Sequence, residues 1–489
     1  MEKQNSIKTN FLMNIILTMS SFIFQLITFP YVSRILSPIG TGKVSFATSF
    51  ISYFSMVAQL GIPTYGVRAC AQIRDNREKL TRTVQELLFF NFIMCTVSYV
   101  TLFFILAFIP KFKEDSLLYL IISFSIILTS IGMEWLYKAL EQYVYITIRS
   151  VFFKLIALIA MFFMVHKESD YVIYGGITIL ASSASNIFNF INAHKYIDLK
   201  PIGEYNLKKH LKPIMIFFAM SCATTIYTNL DNVMLGFMTT DMDVGYYDAA
   251  TKIKKILISV VISLSVVLLP RVSYYIENNL IEQFKNITKK AISFVILLAT
   301  PLMVYFICYA KEGIYFLSGE AYAGAIKPMQ IIMPTILFVG ITNLLGIQML
   351  VPLGKEKIVL YSEIVGAIID IGLNAILIPY YAAAGAAIGT LVAEFAVLVV
   401  QYSALKDEVS ETFKKIHYGQ IIFATFLGFV VSFWVKFLGL GNFLTLLVSA
   451  VLFFGAYGLF LLFKKEEIIM EIWNIVTKKC SKNIGRENK

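Results

Sequence analysis

Arg34, Lys154, Asp248, Lys252 and Lys255 are charged residues set in surroundings that are otherwise apolar. Asp248, Lys252 and Lys255 fall at i, i+4 and i+7, so a helix carries them on one face, with Lys254 off it. Arginine and lysine facing a cavity suit phosphate or pyrophosphate through charge-assisted hydrogen bonds. The same charges repel cationic ligands. Plainer readings stay open: Arg34 can snorkel to an interface, and Asp248 can simply pair with Lys252. A second set is acidic and amide-rich. Asp231 sits between Asn229 and Asn232; Asp370 and Asn374 fall at i and i+4, and so do Thr390 and Glu394. Carboxylates, amides and hydroxyls converging from three helices could hold Na+ or carry a proton on one carboxylate. They could equally make interhelical hydrogen bonds. Glu134, beside Trp135, and Glu363 show no clear role from their spacing.

The elements that position these residues are expected to be membrane-spanning helices. A span needs roughly 20 apolar residues, and about fourteen such stretches run from end to end. They leave no room for a sizeable soluble domain. In lipid every backbone group must be satisfied within the element, so the expected fold class is an all-α integral membrane protein. Hydrophobic residues make up 58% and charged residues 15% of the chain. A soluble domain carries about 25% charged residues; the mean hydropathy here is +0.73. Arg34 falls in the last turn of the first segment, 11–36, and Lys154 in the fifth, 144–165. Asp231 lies in the seventh, 214–237, and Asp248 to Lys255 in the eighth, 244–270. Asp370 and Asn374 lie in the eleventh, 358–380, and Thr390 and Glu394 in the twelfth, 382–405. The last two segments are 420–437 and 443–463. The first apolar run is long for a signal-peptide core and lacks a small-residue cleavage site, so it reads as a retained helix.

Charge orients the expected bundle. Even-numbered connectors are rich in Arg68, Arg74, Arg77, Lys79 and Arg82, then Lys195, Lys200, Lys208, Lys209 and Lys212, then Lys285, Lys289 and Lys290. The tail adds Lys464, Lys465, Lys478, Lys479 and Lys482, whereas 239–243 is acidic. The positive-inside rule then puts both termini in the cytoplasm. The net charge of +11 is mostly this topology signal. Its charges sit on separate loops, so anionic headgroups of membrane lipids are the expected partner and nucleic acid is not. The five cysteines form no CxxC pair, and the four histidines lack ligand spacing, so neither a disulfide framework nor a metal site is expected. No GxxxxGK[ST] motif is present, which argues against ATP hydrolysis.

An internal repeat is also legible. Pro38-Ile-Gly-Thr-Gly42 follows the first segment and Asp241-Met-Asp-Val-Gly245 follows the seventh, with the two glycines 203 positions apart (245 − 42). Pro63 and Pro270, each preceding a basic connector, are offset by 207 (270 − 63). An even number of segments separates the copies, which predicts a parallel repeat of two six-helix bundles, 1–205 and 206–410. Residues 411–489 then hold two extra helices and a basic cytoplasmic tail. Two such halves enclose a cavity that opens alternately to either side. Pro30 and Pro334 fall mid-helix and predict bends, whereas Pro38 and Pro379 read as helix ends. Small residues in Ala382-Ala-Ala-Gly385-Ala-Ala-Ile-Gly389 predict close helix packing.

Several segments together resemble the polysaccharide flippases of the multidrug/oligosaccharidyl-lipid/polysaccharide exporter superfamily. They are Phe29-Pro-Tyr-Val-Ser-Arg34-Ile-Leu-Ser-Pro-Ile-Gly40-Thr-Gly42, Leu60-Gly-Ile-Pro63 with Arg68, Asp231-Asn-Val-Met-Leu-Gly236 and Gly385-Ala-Ala-Ile-Gly389-Thr390. The resemblance spans the whole chain. It implies that undecaprenyl-pyrophosphate-linked oligosaccharide moves from the inner to the outer leaflet of a bacterial cytoplasmic membrane, without enzymatic chemistry or a resident cofactor. Ser33-Arg34 is similar to a Ser-Arg pair that engages substrate phosphate in flippases of the peptidoglycan precursor. Those relatives hold sodium between the seventh, eleventh and twelfth helices, which implies a role for Asp231, Asp370, Asn374 and Thr390. They are richer in arginine along the first two helices, a departure that favours a polysaccharide repeat unit over lipid II here. Contact with other polysaccharide-assembly proteins is plausible, with no motif behind it. The alternatives are a multidrug or cation antiporter of the same fold, whose cavity should be apolar or acidic, and a polytopic polysaccharide polymerase, which needs a large extracytoplasmic loop.

Overall fold

The computed structural model describes residues 7–198, 200–278 and 280–470, so Lys478, Lys479, Lys482 and Cys480 of the expected tail lie outside the described residues. Every regular element among them is helical. The chain runs α1 (Ile7–Gln59), α2 (Ile62–Ala71), α3 (Arg77–Phe108), α4 (Ser116–Ile131), α5 (Glu134–Ala139) and α6 (Tyr143–Met164). Then come α7 (Tyr171–Ile179), α8 (Asn186–Asn192), α9 (Lys208–Met238), α10 (Asp241–Glu277), α11 (Ile281–Cys308) and α12 (Ala310–Ser318). The last six are α13 (Ile326–Ile332), α14 (Thr335–Asn343), α15 (Glu356–Ala404), α16 (Lys406–Lys414), α17 (Tyr418–Phe433) and α18 (Gly441–Phe463).

Ten described helices are long and apolar enough to cross a membrane, or eleven when the bent α13–α14 pair is one span, against about fourteen expected stretches. Much of the difference has a plain geometric cause. The helical run from Thr9 to Ala71 holds 63 residues, about 95 Å at 1.5 Å per residue and three times the thickness of a bilayer core. It breaks at Ser37 (φ 59, ψ 175), whose successor Pro38 has no N–H to give a preceding turn. In α15 the break is at Ala382 (φ 47, ψ −126), three residues after Pro379. Each break falls at an expected segment boundary, but the chain re-enters a helix at once, so two expected segments share one helix. The eighth expected segment lies in α10, which is not among the ten. Pro334 stands between α13 and α14 at a bend of 48°.

Two compact units divide the chain, Met1–Asp248 and Ala249–Lys489. In the first, α1 packs against α3, α4, α6, α7 and α9. Leu60 and Gly61 are both left-handed at the α1–α2 break, as is Met133 at the α4–α5 break. The broken ends bury one another: Leu60, Ile62, Met133, Trp135 and Leu136 share a core with Ile214 of α9. Gly66 lets α2 lie directly on the Trp135 ring, where a Cβ would come within 2.6 Å. The chain between the first six segments and the next is strapped to α3. Gln85 donates to the carbonyls of Asp198 and Lys200 (2.9 Å each) and accepts from Tyr205 Oη (2.8 Å). Arg77 clasps the Asp198 carboxylate at 2.8 Å and holds it below the usual carboxylate range.

Just past the Ser37 break, α1 meets the start of α10. Gly42 lies against the Asp241 carbonyl and Gly245, and Gly245 lies against the Pro38 carbonyl. Pro38 and Asp241 share the 203-residue offset of the two glycines (241 − 38). Contact of i with j′ and of j with i′ is what a two-fold-related pair produces. Around it Phe46, Phe50, Phe112, Tyr119 and Phe237 form an aromatic cluster with centroids 4.7–6.4 Å apart. Lys111 lies over the Phe46 ring at 5.1 Å, and burial holds its pKa below the ordinary lysine value.

In the second unit α13 and α14 pack on α15, and α17 packs closely on α18. The α17–α18 pair is tied to α11 by three tyrosines. Tyr305 Oη donates to the Leu446 carbonyl (2.8 Å), Tyr309 Oη to Ser432 Oγ (3.0 Å) and Tyr457 Oη to the Leu297 carbonyl (2.7 Å). Such bonds satisfy hydroxyls that lipid cannot.

Candidate functional site

In the first unit α6 brings positive charge to membrane depth. Lys154 is half-buried, and its ammonium donates to Ser20 Oγ (2.9 Å) and Ser21 Oγ (2.7 Å) of α1. Both of these partners are neutral hydroxyls, so neither offsets an ammonium charge there. Five residues earlier Arg149 is 8% exposed. Its guanidinium donates to Asn186 Oδ1 of α8 at 3.0 Å and stands 3.8 Å from the Glu134 carboxylate, which Lys138 also meets at 2.8 Å. Arg149 Nε is buried and has no hydrogen-bond partner among the described residues. Sequence reasoning missed Arg149, although the criterion that selected Lys154 applies to it: an ionisable residue inside an apolar run. Glu134 is its neighbour.

Arg34 is exposed on α1 and donates to the Pro30 carbonyl one turn back at 2.6 Å. Asp231 of α9 is buried and accepts a hydrogen bond from Tyr247 Oη of α10. Its neighbour Asn232 donates to Ser49 Oγ of α1 at 3.1 Å. Asn229 instead bonds its own helix, at the Thr225 carbonyl. Asp248 is buried at the end of this unit.

In the second unit the arms of α15 on either side of Ala382 come together through glycine. A Cβ on Gly389 would meet Asn374 Oδ1 and lie 3.0 Å from Asp370 Oδ1; one on Gly385 would meet the Leu377 backbone. The Gly385–Gly389 pattern therefore does pack helices closely. It also brings the Asp370 and Asn374 side chains, 1% and 0% exposed, onto the second arm. Thr390 and Glu394, one and five residues past Gly389, are buried too, and Thr390 Oγ1 donates to the Ala386 carbonyl at 3.0 Å. Lys252 is half-buried and Lys255 exposed on α10. No cluster of three or more His, Cys, Asp or Glu suited to a metal ion occurs among the described residues.

Gly389→Ala should separate Asp370 and Asn374 from the second arm. Forcing a methyl into a packed crossing costs about 1–3 kcal/mol. The expected result is lower thermal stability together with a changed Na+ or pH dependence of transport. Wild-type values of both would show that the arms do not need this contact.

These features define a multi-span helical membrane protein in which Lys154, Arg149, Asp231 and Asp370 are held between helices. The chain belongs to the family described as "Polysaccharide biosynthesis protein", whose model matches residues 7–276. A second model, MatE, matches residues 216–376. Two curated relatives carry the name "Putative O-antigen transporter". That of Shigella dysenteriae is 26% identical over 82% of this chain and 100% of its own length. That of Escherichia coli (strain K12) is 22% identical over 72% of this chain and 85% of its own. Among solved structures, the lipid II flippase MurJ in an inward closed conformation has the same fold. It superposes with a TM-score of 0.72 at 14% identity, covering 92% of this chain and 99% of that one.

Proposed function

We propose that this protein is a flippase rather than an enzyme, and that it carries undecaprenyl-pyrophosphate-linked oligosaccharide repeat units across a bacterial cytoplasmic membrane. The observation that carries the reading is Lys154. A lysine at membrane depth whose ammonium is held by two neutral hydroxyls, not by a carboxylate, is placed to meet an anionic ligand. Arg149 supplies a second cation on the same helix. The names of the curated relatives and the family description agree with a polysaccharide-linked cargo. Alternating access moves the pyrophosphate and sugars while the lipid tail stays among the helices. Both termini face the cytoplasm, on the side of the lysine-rich connectors. Asp231, Asp370, Asn374, Thr390 and Glu394 are the groups through which Na+ or H+ would couple. Arg34 and Asp248 in the first unit, and Lys252 and Lys255 in the second, are the further residues assigned to phosphate or sugar. The MatE match favours one alternative, an antiporter for cationic drugs; the cations of α6 disfavour such a ligand.

Lys154→Ala should lower surface polysaccharide about tenfold or more at equal protein level, since a charge-assisted hydrogen bond is worth roughly 1.5–3 kcal/mol. Lys154→Arg should retain most of the flux. The direct test is leaflet-resolved accumulation of lipid-linked oligosaccharide after depletion of the protein. Completed repeats building up on the cytoplasmic leaflet support the flippase. Normal export with altered sensitivity to cationic drugs would move the assignment to the antiporter.

A further inference from the structure

A basic cleft opens where the lysine-rich ends of α11, α17 and α18 meet. Its volume is about 170 Å³, and Lys289, Lys290, Lys415, His417, Lys464 and Lys465 line it. Glu466 and Glu467 are the acids in the lining, so five lysines against two carboxylates leave a formal charge of +3 (5 − 2). The acids are engaged. Glu467 stands 3.5 Å from Lys289, and Glu466 accepts the backbone N–H of Ile468 (2.9 Å) and Ile469 (3.1 Å).

A second, independent feature points to the occupant. The cleft adjoins apolar surface that faces outward. Ile422 and Phe426 on α17 are 63% and 60% exposed, and Leu459 and Phe463 on α18 are 69% and 79% exposed. Phe423 and Phe460 join the two helices with ring centroids 5.0 Å apart, and Lys464 lies over the Phe460 ring at 5.9 Å. Cations immediately beyond the last turns of two lipid-facing helices lie at the level of phospholipid headgroups. The volume falls below the roughly 300–1,000 Å³ of a pocket for a whole drug-sized ligand. It suits a headgroup whose chains run along the outer faces of α17 and α18.

We propose that this cleft binds the phosphodiester headgroup of an anionic phospholipid and so fastens the α17–α18 pair to α11. The proposal stands apart from the transported cargo, because none of its residues belongs to the sets assigned above.

The test uses the full-length protein in nanodiscs of phosphatidylcholine, with and without 30% phosphatidylglycerol. Phosphatidylglycerol should raise the unfolding temperature by about 3 °C or more. The combined variant Lys289→Gln, Lys415→Gln and Lys464→Gln should lose that shift and retain at least about tenfold less phosphatidylglycerol on purification. The corresponding three Lys→Arg changes should keep both. No shift for the wild type, or an equal shift for the glutamine variant, would overturn the site. Inorganic phosphate or pyrophosphate reproducing the shift in pure phosphatidylcholine would overturn the lipid as its source. If the glutamine variant does not fold, the wild-type shift and the phosphate controls decide alone.

Discussion

Gly42→Ala should cut transport at least about tenfold while leaving expression near normal. The Gly42 Cα lies against the Asp241 carbonyl, and a Cβ there would also come within 2.9 Å of Gly245 N. Both obstacles are backbone, so no side chain can swing aside. The methyl can be housed only if α1 and the start of α10 part. Overpacking of this kind costs about 1–3 kcal/mol, occasionally more, and the higher figure shifts a conformational equilibrium more than a hundredfold. Gly245→Ala should act alike, because its Cα meets the Pro38 carbonyl. The double variant should be much less than additive, since one separation relieves both clashes. Gly372 supplies the control: nothing lies within 4 Å of a Cβ added there, and Gly372→Ala should be tolerated or slightly stabilising. Surface polysaccharide at matched protein level reads all four. Wild-type flux from Gly42→Ala would show that the crossing is dispensable.

The second large effect should come from Glu86→Ala, and it should appear in stability. Glu86 is 0% exposed and holds three donors at 2.7 Å: the backbone N–H of Asn206, Lys209 Nζ and His210 Nε2. Tyr65 closes the far side of the imidazole at Nδ1, also at 2.7 Å. The Lys209 side chain is 42% exposed, so water replaces much of its lost partner. His210, 2% exposed, and the Asn206 N–H have less recourse. An orphaned buried donor costs about 1–3 kcal/mol, so the loss should total about 3 kcal/mol. Glu86→Gln, which keeps an acceptor, should cost about half as much. Thermal unfolding of the purified protein should show a drop of roughly 3 °C for alanine. An unchanged midpoint would mean that the connector from Asp198 to Asn206 does not depend on this carboxylate.

Glu86 also marks the limit of what the sequence discloses. Its partner His210 lies 124 residues away, and nothing in local spacing links a glutamate on one helix to the first turn of another. The carboxylate–amide pair on α15 was legible for the opposite reason. Asp370 and Asn374 share a helix face, and the small residues at Gly385 and Gly389 announce a close crossing. Segment boundaries at 36 and 382 were legible because Pro38 and Pro379 stand beside them. That the helix resumes immediately was not legible, because a single residue at positive φ has no periodicity to read. Lys154 was found as an ionisable residue in an apolar stretch, while its serine partners, 133 and 134 positions away, were not. Arg149 was passed over beside it. A charge near the start of an apolar run looks like a connector residue until its burial is known.

The glycine crossing carries a message about descent. When a protein pairs with its own copy about a two-fold axis, each subunit gives the same patch to the contact. If the two copies are later joined end to end, that patch survives as two stretches of one chain at a constant spacing. Pro38 to Gly42 and Asp241 to Gly245 have that form. On that reading each stretch limits how far the other can change, because a substitution in one must still fit the backbone of the other.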